Sequence, residues 1–227
     1  MKKEALIAEF LGTFFLVFFG CGAVIVNELF GGELGQLGIC IVFGLVVMAV
    51  IYSFGNVSGA HINPAVTIAL CFAGRFDLKL LPSYVAMQLI GATSAALLLR
   101  WIFSETEVLG LTLPNIGIFR AFFVEVIISF VLMSVVLNLG GEQPEKKIMA
   151  GAAIGGVVTF AALVAGPITG ASMNPARSLG PAIAAQNFES IWLYVVAPVI
   201  GMLLACPVCR WVQGPDCCSF KGFSNET

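Results

Sequence analysis

The chain has 227 residues, of which 59% are hydrophobic and only 11% charged, with a formal net charge of -2 and a mean hydropathy of +1.00. That is too little polar surface to coat a water-soluble globule, so the chain belongs in a bilayer. No basic cluster offers a footprint for nucleic acid.

Spanning the hydrocarbon takes about 20 mostly apolar residues per helix, and six such runs follow one another at 5–27, 37–57, 82–103, 118–139, 148–166 and 190–212. Continuous apolarity rather than alternation favours helices over a β-barrel. The first run carries Glu9 and lacks a small-residue cleavage site after a short apolar core, so it is read as a retained helix, not a signal peptide. After the second run comes "SGAHINPAVT" (58–67), which leads into the short apolar stretch "NPAVTIALCFAG". The fourth run carries Glu125, and the charged segment "GGEQPEKK" (140–147) reads as a loop. After the fifth run, "TGASMNPARS" (169–178) leads into "NPARSLGPAIAA".

The two halves are related. "YVAMQLIGA" (84–92) and "YVVAPVIGM" (194–202) match at an offset of 110, Asn63 and Asn174 at 111, and Glu9 and Glu125 at 116. An odd number of spans per half makes the repeats, about 1–110 and 111–213, enter the membrane from opposite sides, within one domain that ends in a tail at 214–227. Inverted repeats of this kind place a substrate path at their interface. Small residues should mark the helix seams: Gly12, Gly20, Gly22, Gly91, Gly151 to Gly156, and Gly201. Lys2, Lys3, Arg75, Lys79, Lys146, Lys147, Arg210 and Lys221 all fall on one side, against Arg100 and Arg120 on the other, which puts both termini in the cytoplasm.

The two linking stretches are too short to span and read as re-entrant half helices. Asn63 and Asn174 cap them, with Pro64 and Pro175 at the first helical position, where a missing N–H costs nothing. Irregular backbone at membrane depth must be buried in protein or line a watery cavity. The side-chain N–H groups of the two asparagines would then donate to a passing water, while the carbonyls of Gly59, Ala60, His61 and Ile62, and of Gly170, Ala171, Ser172 and Met173, accept along the approaches. The helix N-termini add a positive field that opposes cations.

These residues make the sequence resemble the aquaporin, or major intrinsic protein, family across nearly its whole length: "AEFLGTFFLVFFGCG" (8–22), both Asn-Pro-Ala motifs (Asn63-Pro64-Ala65 and Asn174-Pro175-Ala176), Glu125 and the third- and sixth-span repeats. The resemblance implies an all-α, right-handed bundle of six spanning helices and two half helices, assembled as a homotetramer with a pore in each subunit. Repulsion of protons by half-helix dipoles and an arginine is the scheme familiar from aquaporins. The family's outer filter falls on Phe43, Ala162, Ala171 and Arg177. Strict water channels carry a histidine where Ala162 stands, and glycerol facilitators an aspartate where Ser178 follows the arginine. With Ala171 and Tyr194-Val195, the chain looks most like the nodulin-like intrinsic proteins and the aquaglyceroporins; the former pass glycerol-sized solutes and hydroxides such as arsenous, boric or silicic acid, besides some water.

Arg177 is expected in the pore, since a charge near the bilayer centre costs about 2.5–3.5 kcal/mol without such a role. Glu9 and Glu125 are read as braces that accept from the loop N–H groups, against the alternative of proton coupling. His61 is a loop brace or pore-wall residue rather than a catalyst. Cys21, Cys40, Cys71 and Cys206 read as buried thiols. Cys209, Cys217 and Cys218 could hold a soft metal, but no metal or cofactor is expected. The function expected is a passive channel for water and small uncharged solutes in the plasma or inner membrane, with a strictly water-selective pore and a secondary active transporter as alternatives, and no enzymatic chemistry.

Overall fold

A computed structural model describes residues 3–104, 106–139, 144–214 and 217–218. Among these, six helices are long and apolar enough to cross a membrane: α1 (Lys3–Leu29), α2 (Gly35–Ser58), α4 (Leu81–Ile102), α5 (Ile118–Leu139), α6 (Pro144–Thr169) and α8 (Ile191–Gln213). Two short helices interrupt the series, α3 (Pro64–Phe72) with nine residues and α7 (Pro175–Ala185) with eleven. Each starts at the proline of its Asn-Pro-Ala motif, as the capping chemistry requires.

The spans extend the expected runs by a few residues at most ends, and one boundary differs more. The segment expected as a loop through Lys147 is helical from Pro144 onward. Proline at the first position is already suited to a helix start, and Glu145 in the first turn complements the helix dipole.

Polarity is inverted relative to a soluble protein. Trp101, Phe119, Phe123 and Trp211 are exposed, whereas Glu9, Gln88, Glu125 and Arg177 are buried. Lipid takes the place of water on the outside, and the polar groups find one another inside.

The same helix pairing occurs in both halves. Helix α1 packs against α2 and α4, and α5 packs against α6 and α8; α2 and α6 meet across the centre. Each half helix leans on the other half's last span, α3 on α8 and α7 on α4. Where the spans touch most closely, there is no room for a Cβ. On Gly91 it would meet the Phe10 carbonyl, and on Gly201 the Val126 carbonyl. Gly12, Gly20 and Gly151 pack against Ile62, the Phe43 ring and the Tyr52 ring, and Gly155 lies against the Gly44 carbonyl. Gly22 makes only ordinary contact with Leu99, and a Cβ on Gly156 would meet nothing within 4 Å, so these two expected seam residues are not close-contact positions.

Overpacking a tight contact costs about 1–3 kcal/mol or more. Gly91→Leu and Gly201→Leu should each lower the thermal unfolding midpoint in detergent by several degrees, while Gly156→Ala, inside a helix and with open space for its methyl, does not lower it.

Candidate functional site

Two loops, residues 59–63 and 170–174, share an unusual backbone. Gly59, Ala60 and Ile62 have φ of 88°, 47° and 45°, and Gly170, Ala171 and Met173 have 81°, 44° and 52°. Left-handed alanine, isoleucine and methionine cost energy and persist only where the surroundings over-determine them. Here the surroundings are two buried carboxylates. In the first loop, Glu9 Oε1 accepts from His61 N at 2.9 Å and Ser58 Oγ at 2.7 Å, while Oε2 accepts from Ile62 N and Gln88 Nε2, both at 2.7 Å. In the second, Glu125 Oε1 accepts from Ser172 N at 2.9 Å and Thr169 Oγ1 at 2.7 Å, and Oε2 from Met173 N at 3.0 Å. Tyrosines anchor the loop entrances in the same way, Tyr84 Oη donating to the Ser58 carbonyl at 3.0 Å and Tyr194 Oη to the Thr169 carbonyl at 2.6 Å.

With the N–H groups turned to the glutamates, the carbonyls are left over. Those of Gly59, Ala60, His61, Gly170, Ala171 and Ser172 accept no hydrogen bond among the described residues. A buried carbonyl without a protein partner needs water or solute. All six of these residues line one cavity of about 710 Å³.

The asparagines meet at its centre. Asn63 Oδ1 accepts from Ala65 N, and Asn174 Oδ1 from Ala176 N and Arg177 N, which fixes which end of each amide faces away from the half helix. Asn63 Nδ2 then donates to the Met173 carbonyl and Asn174 Nδ2 to the Ile62 carbonyl, both at 2.8 Å. Each Nδ2 has a second N–H, and among the described residues it has no partner. The carbonyls of Ile62 and Met173, expected to serve the passage alone, are thus partly committed to the opposite loop. Both residues and both asparagines line the cavity.

The lining follows α2 from Gln36 to Asn56. Toward the Gln36 end lie Phe43, Ala162, Ala171 and Arg177, all on the cavity wall. The Arg177 guanidinium sits 5.0 Å from the centre of the Phe43 ring, and its Nη1 donates to the Gly110 carbonyl at 2.6 Å. Ser178 holds its hydroxyl 2.6 Å from that of Ser172 and accepts from Thr112 Oγ1 at 2.8 Å. At the other end lie Tyr52, Asn56 and Arg75.

His61 is both brace and wall. Its ring stacks edge-on to Phe76 and lies beside Tyr84, and it borders the cavity. Thr67 Oγ1 donates to the Asn63 carbonyl, so toward His61 Nδ1, 3.2 Å away, it can only accept; this bookkeeping assigns the imidazole proton to Nδ1.

Several partners were not read from the sequence. Gln88 bridges Glu9 and Thr67, Gln36 Nε2 donates to the Ala162 carbonyl at 3.0 Å, and the connection between α4 and α5 supplies Gly110, Leu111, Leu113 and Asn115 to the site. A glutamine inside an apolar span was the available signal for the first; the loop offered none.

Comparison with known proteins decides the family. The family model described as Major intrinsic protein matches residues 1–208. The chain belongs to the major intrinsic protein family. Among its relatives, Aquaporin NIP1-2 of Oryza sativa subsp. japonica is 48% identical over 210 residues, covering 88% of this chain and 69% of the relative. Aquaporin NIP1-2 of Arabidopsis thaliana is 42% identical over 221 residues, covering 94% and 75%. The X-ray structure of the aquaglyceroporin from Plasmodium falciparum superposes with a TM-score of 0.85 at 28% identity, covering 94% of this chain and 98% of that one. The resemblance carried by the Asn-Pro-Ala motifs therefore holds, as does the leaning toward NIP-type channels and aquaglyceroporins.

In this major intrinsic protein, replacing Glu9 by Gln turns one oxygen into an N–H donor that confronts the donors of the first loop. Leaving such buried groups unpaired costs about 1–3 kcal/mol each. Glu9→Gln should therefore lower both the unfolding midpoint and osmotic water permeability per channel in reconstituted vesicles, whereas Glu4→Gln, at the exposed start of α1, changes neither.

Proposed function

We propose that the passage conducts water together with small uncharged solutes of glycerol size, including metalloid hydroxides such as arsenous, boric or silicic acid, while refusing protons and ions. Family membership makes the chain a multi-pass membrane channel rather than an enzyme. The observation that carries the solute reading is the pairing of unpartnered loop carbonyls with two small residues, Ala162 and Ala171, on the stretch of cavity wall that includes Phe43 and Arg177. Acceptors in file suit hydroxyl-bearing solutes, and the alanines leave room that a bulky polar residue at 162 would take.

Exclusion of protons rests on the centre. The free N–H of each asparagine orients the oxygen of a passing water toward itself, so that molecule cannot hand a proton onward along the file. The N-termini of α3 and α7 and the Arg177 guanidinium supply positive potential against hydronium and metal ions, the scheme familiar from this family. A strictly water-selective pore is the second reading; it requires side chains to close the space beside Ala162. An ion-coupled carrier is less well supported, since both loops are pinned by carboxylates, tyrosines and crossed amides and have no evident second arrangement.

In the same reading the halves are inverted repeats around the asparagine pair, four copies assemble with a pore in each, and the chain sits in the plasma or inner membrane with both termini cytoplasmic. The repeated φ pattern of the two loops and the one-sided placement of lysine and arginine support the first and last of these.

Two variants test the assignment in proteoliposomes. Ala162→His should reduce glycerol and arsenite flux by roughly tenfold or more while changing water flux far less; equal losses refute the filter. Arg177→Val should admit protons, read with an entrapped pH dye, at unchanged water permeability.

A further inference from the structure

Three sulfurs that the passage does not use come together where α8 ends. Cys209 on the last turns of that helix and Cys217 and Cys218 just beyond it are buried, and their Sγ atoms all lie within 4.8 Å of one another. Cys209 and Cys217 are joined as a disulfide, and the Cys218 sulfur is 3.8 Å from that of Cys217. Two guanidiniums hold this corner. Arg75 Nε donates to the Cys217 carbonyl at 2.9 Å, and Arg210 Nη1 donates to the Cys218 carbonyl at 2.9 Å. Arg75 also borders the passage.

A buried cysteine is ordinarily a small apolar filler, but filling space does not require three sulfurs in one place. With the chain ends cytoplasmic, as proposed above, a permanent disulfide is out of keeping with the reducing compartment, and the resting form is a set of thiols. Thiolates select soft ions. Structural zinc takes four ligands in a tetrahedron, whereas this group holds three sulfurs and, among the described residues, no histidine or carboxylate. A further thiol, Cys206, is hydrogen-bonded to Cys218 and donates to the Ala69 and Met202 carbonyls at 3.6 Å, but its sulfur is not one of the three that all lie within 4.8 Å of one another. Three mutually close sulfurs, with the fourth set to one side and committed to helix carbonyls, match a three-coordinate pyramidal centre.

We propose that reduced Cys209, Cys217 and Cys218 form a trithiol site for a trivalent thiophilic metalloid, arsenic or antimony, beside the cytoplasmic mouth of the passage. The sequence marks the same three cysteines as able to hold a soft metal, but not a metalloid and not beside the passage. The proposal rests on the solute class and topology inferred above, since the ligand is a solute the passage would deliver. Two molecules of a low-molecular-weight thiol first reduce the Cys209–Cys217 disulfide, giving two protein thiols and one molecule of the small disulfide. Each of the three protein thiols then displaces one hydroxyl from arsenous acid. Three As–S bonds form and three As–O bonds break; the thiol protons leave with the hydroxyls as three waters, and arsenic stays trivalent.

The test uses full-length protein in detergent, reduced with excess thiol and desalted without oxygen. Incubation with arsenite should add one arsenic less three hydrogens to the intact mass. Cys218→Ser, which leaves the disulfide pair untouched, should weaken binding at least about tenfold and change the adduct to one in which two thiol hydrogens are lost and one hydroxyl stays on arsenic, a net gain of one arsenic and one oxygen less one hydrogen, while Cys71→Ser binds as the unaltered chain does. Antimonite should compete with arsenite, and zinc should not. Absence of the adduct from reduced protein, retention of the three-hydrogen loss in Cys218→Ser, or displacement of arsenite by equimolar zinc would overturn the site. Arsenite flux in vesicles is read separately. Flux without an adduct sinks the trithiol site and spares the channel reading; an adduct without flux does the reverse.

Discussion

Everything at the centre depends on a carboxylate that accepts two successive backbone N–H groups. Glu9 does this for His61 and Ile62, Glu125 for Ser172 and Met173. Without it, a chain of alanine, isoleucine and methionine has no reason to stay in the left-handed region, and the carbonyls would have no fixed direction. With it, the polar groups of each loop separate: N–H groups turn to the carboxylate and carbonyls to the cavity, those of Ile62 and Met173 being shared with the facing asparagine. The cost of burying two acidic side chains in an apolar bundle is offset by filling their oxygens with donors from backbone, serine, threonine and glutamine.

The asparagines add the opposite polarity at one point of an otherwise acceptor-lined wall. Their orientation is not free, because each Oδ1 is occupied by the first N–H groups of its own half helix and each Nδ2 by the facing loop. Arg177 is fixed just as firmly, by the Gly110 carbonyl and the face of Phe43. Selectivity in this channel family follows from such groups being held before a solute arrives, so that little reorganisation accompanies its passage.

How much of this could be read from residues alone depended on range. Asn63-Pro64 and Asn174-Pro175 announce helix starts through local capping chemistry, so both half helices and their first residues were legible. Glu9 and Glu125 were legible as braces because an acid within a span needs donors, and the exposed N–H groups of the loops were the obvious source. The Phe43–Ala162–Ala171–Arg177 group came from family resemblance, and all four residues line the cavity. What stayed hidden was held by long-range contacts without periodicity: Gly110 reaching Arg177, Gln36 reaching Ala162, Gln88 joining Glu9 to Thr67. A lone glutamine in a span says that a partner exists and not which one. The start of α6 at Pro144 was obscured because charge between two apolar runs reads as a loop, although a first turn tolerates both proline and glutamate.

The crossed amides have a consequence for how such a molecule is made. Asn63 finds its acceptor on Met173 and Asn174 finds its own on Ile62, so neither hairpin can complete its polar inventory while the other is still on the ribosome. The N-terminal portion, inserted first, must wait with an unsatisfied amide until more than a hundred further residues have been threaded. Sealing of the conduit is therefore a late, all-or-none event in biogenesis, and a half-chain expressed alone has no route to a finished centre.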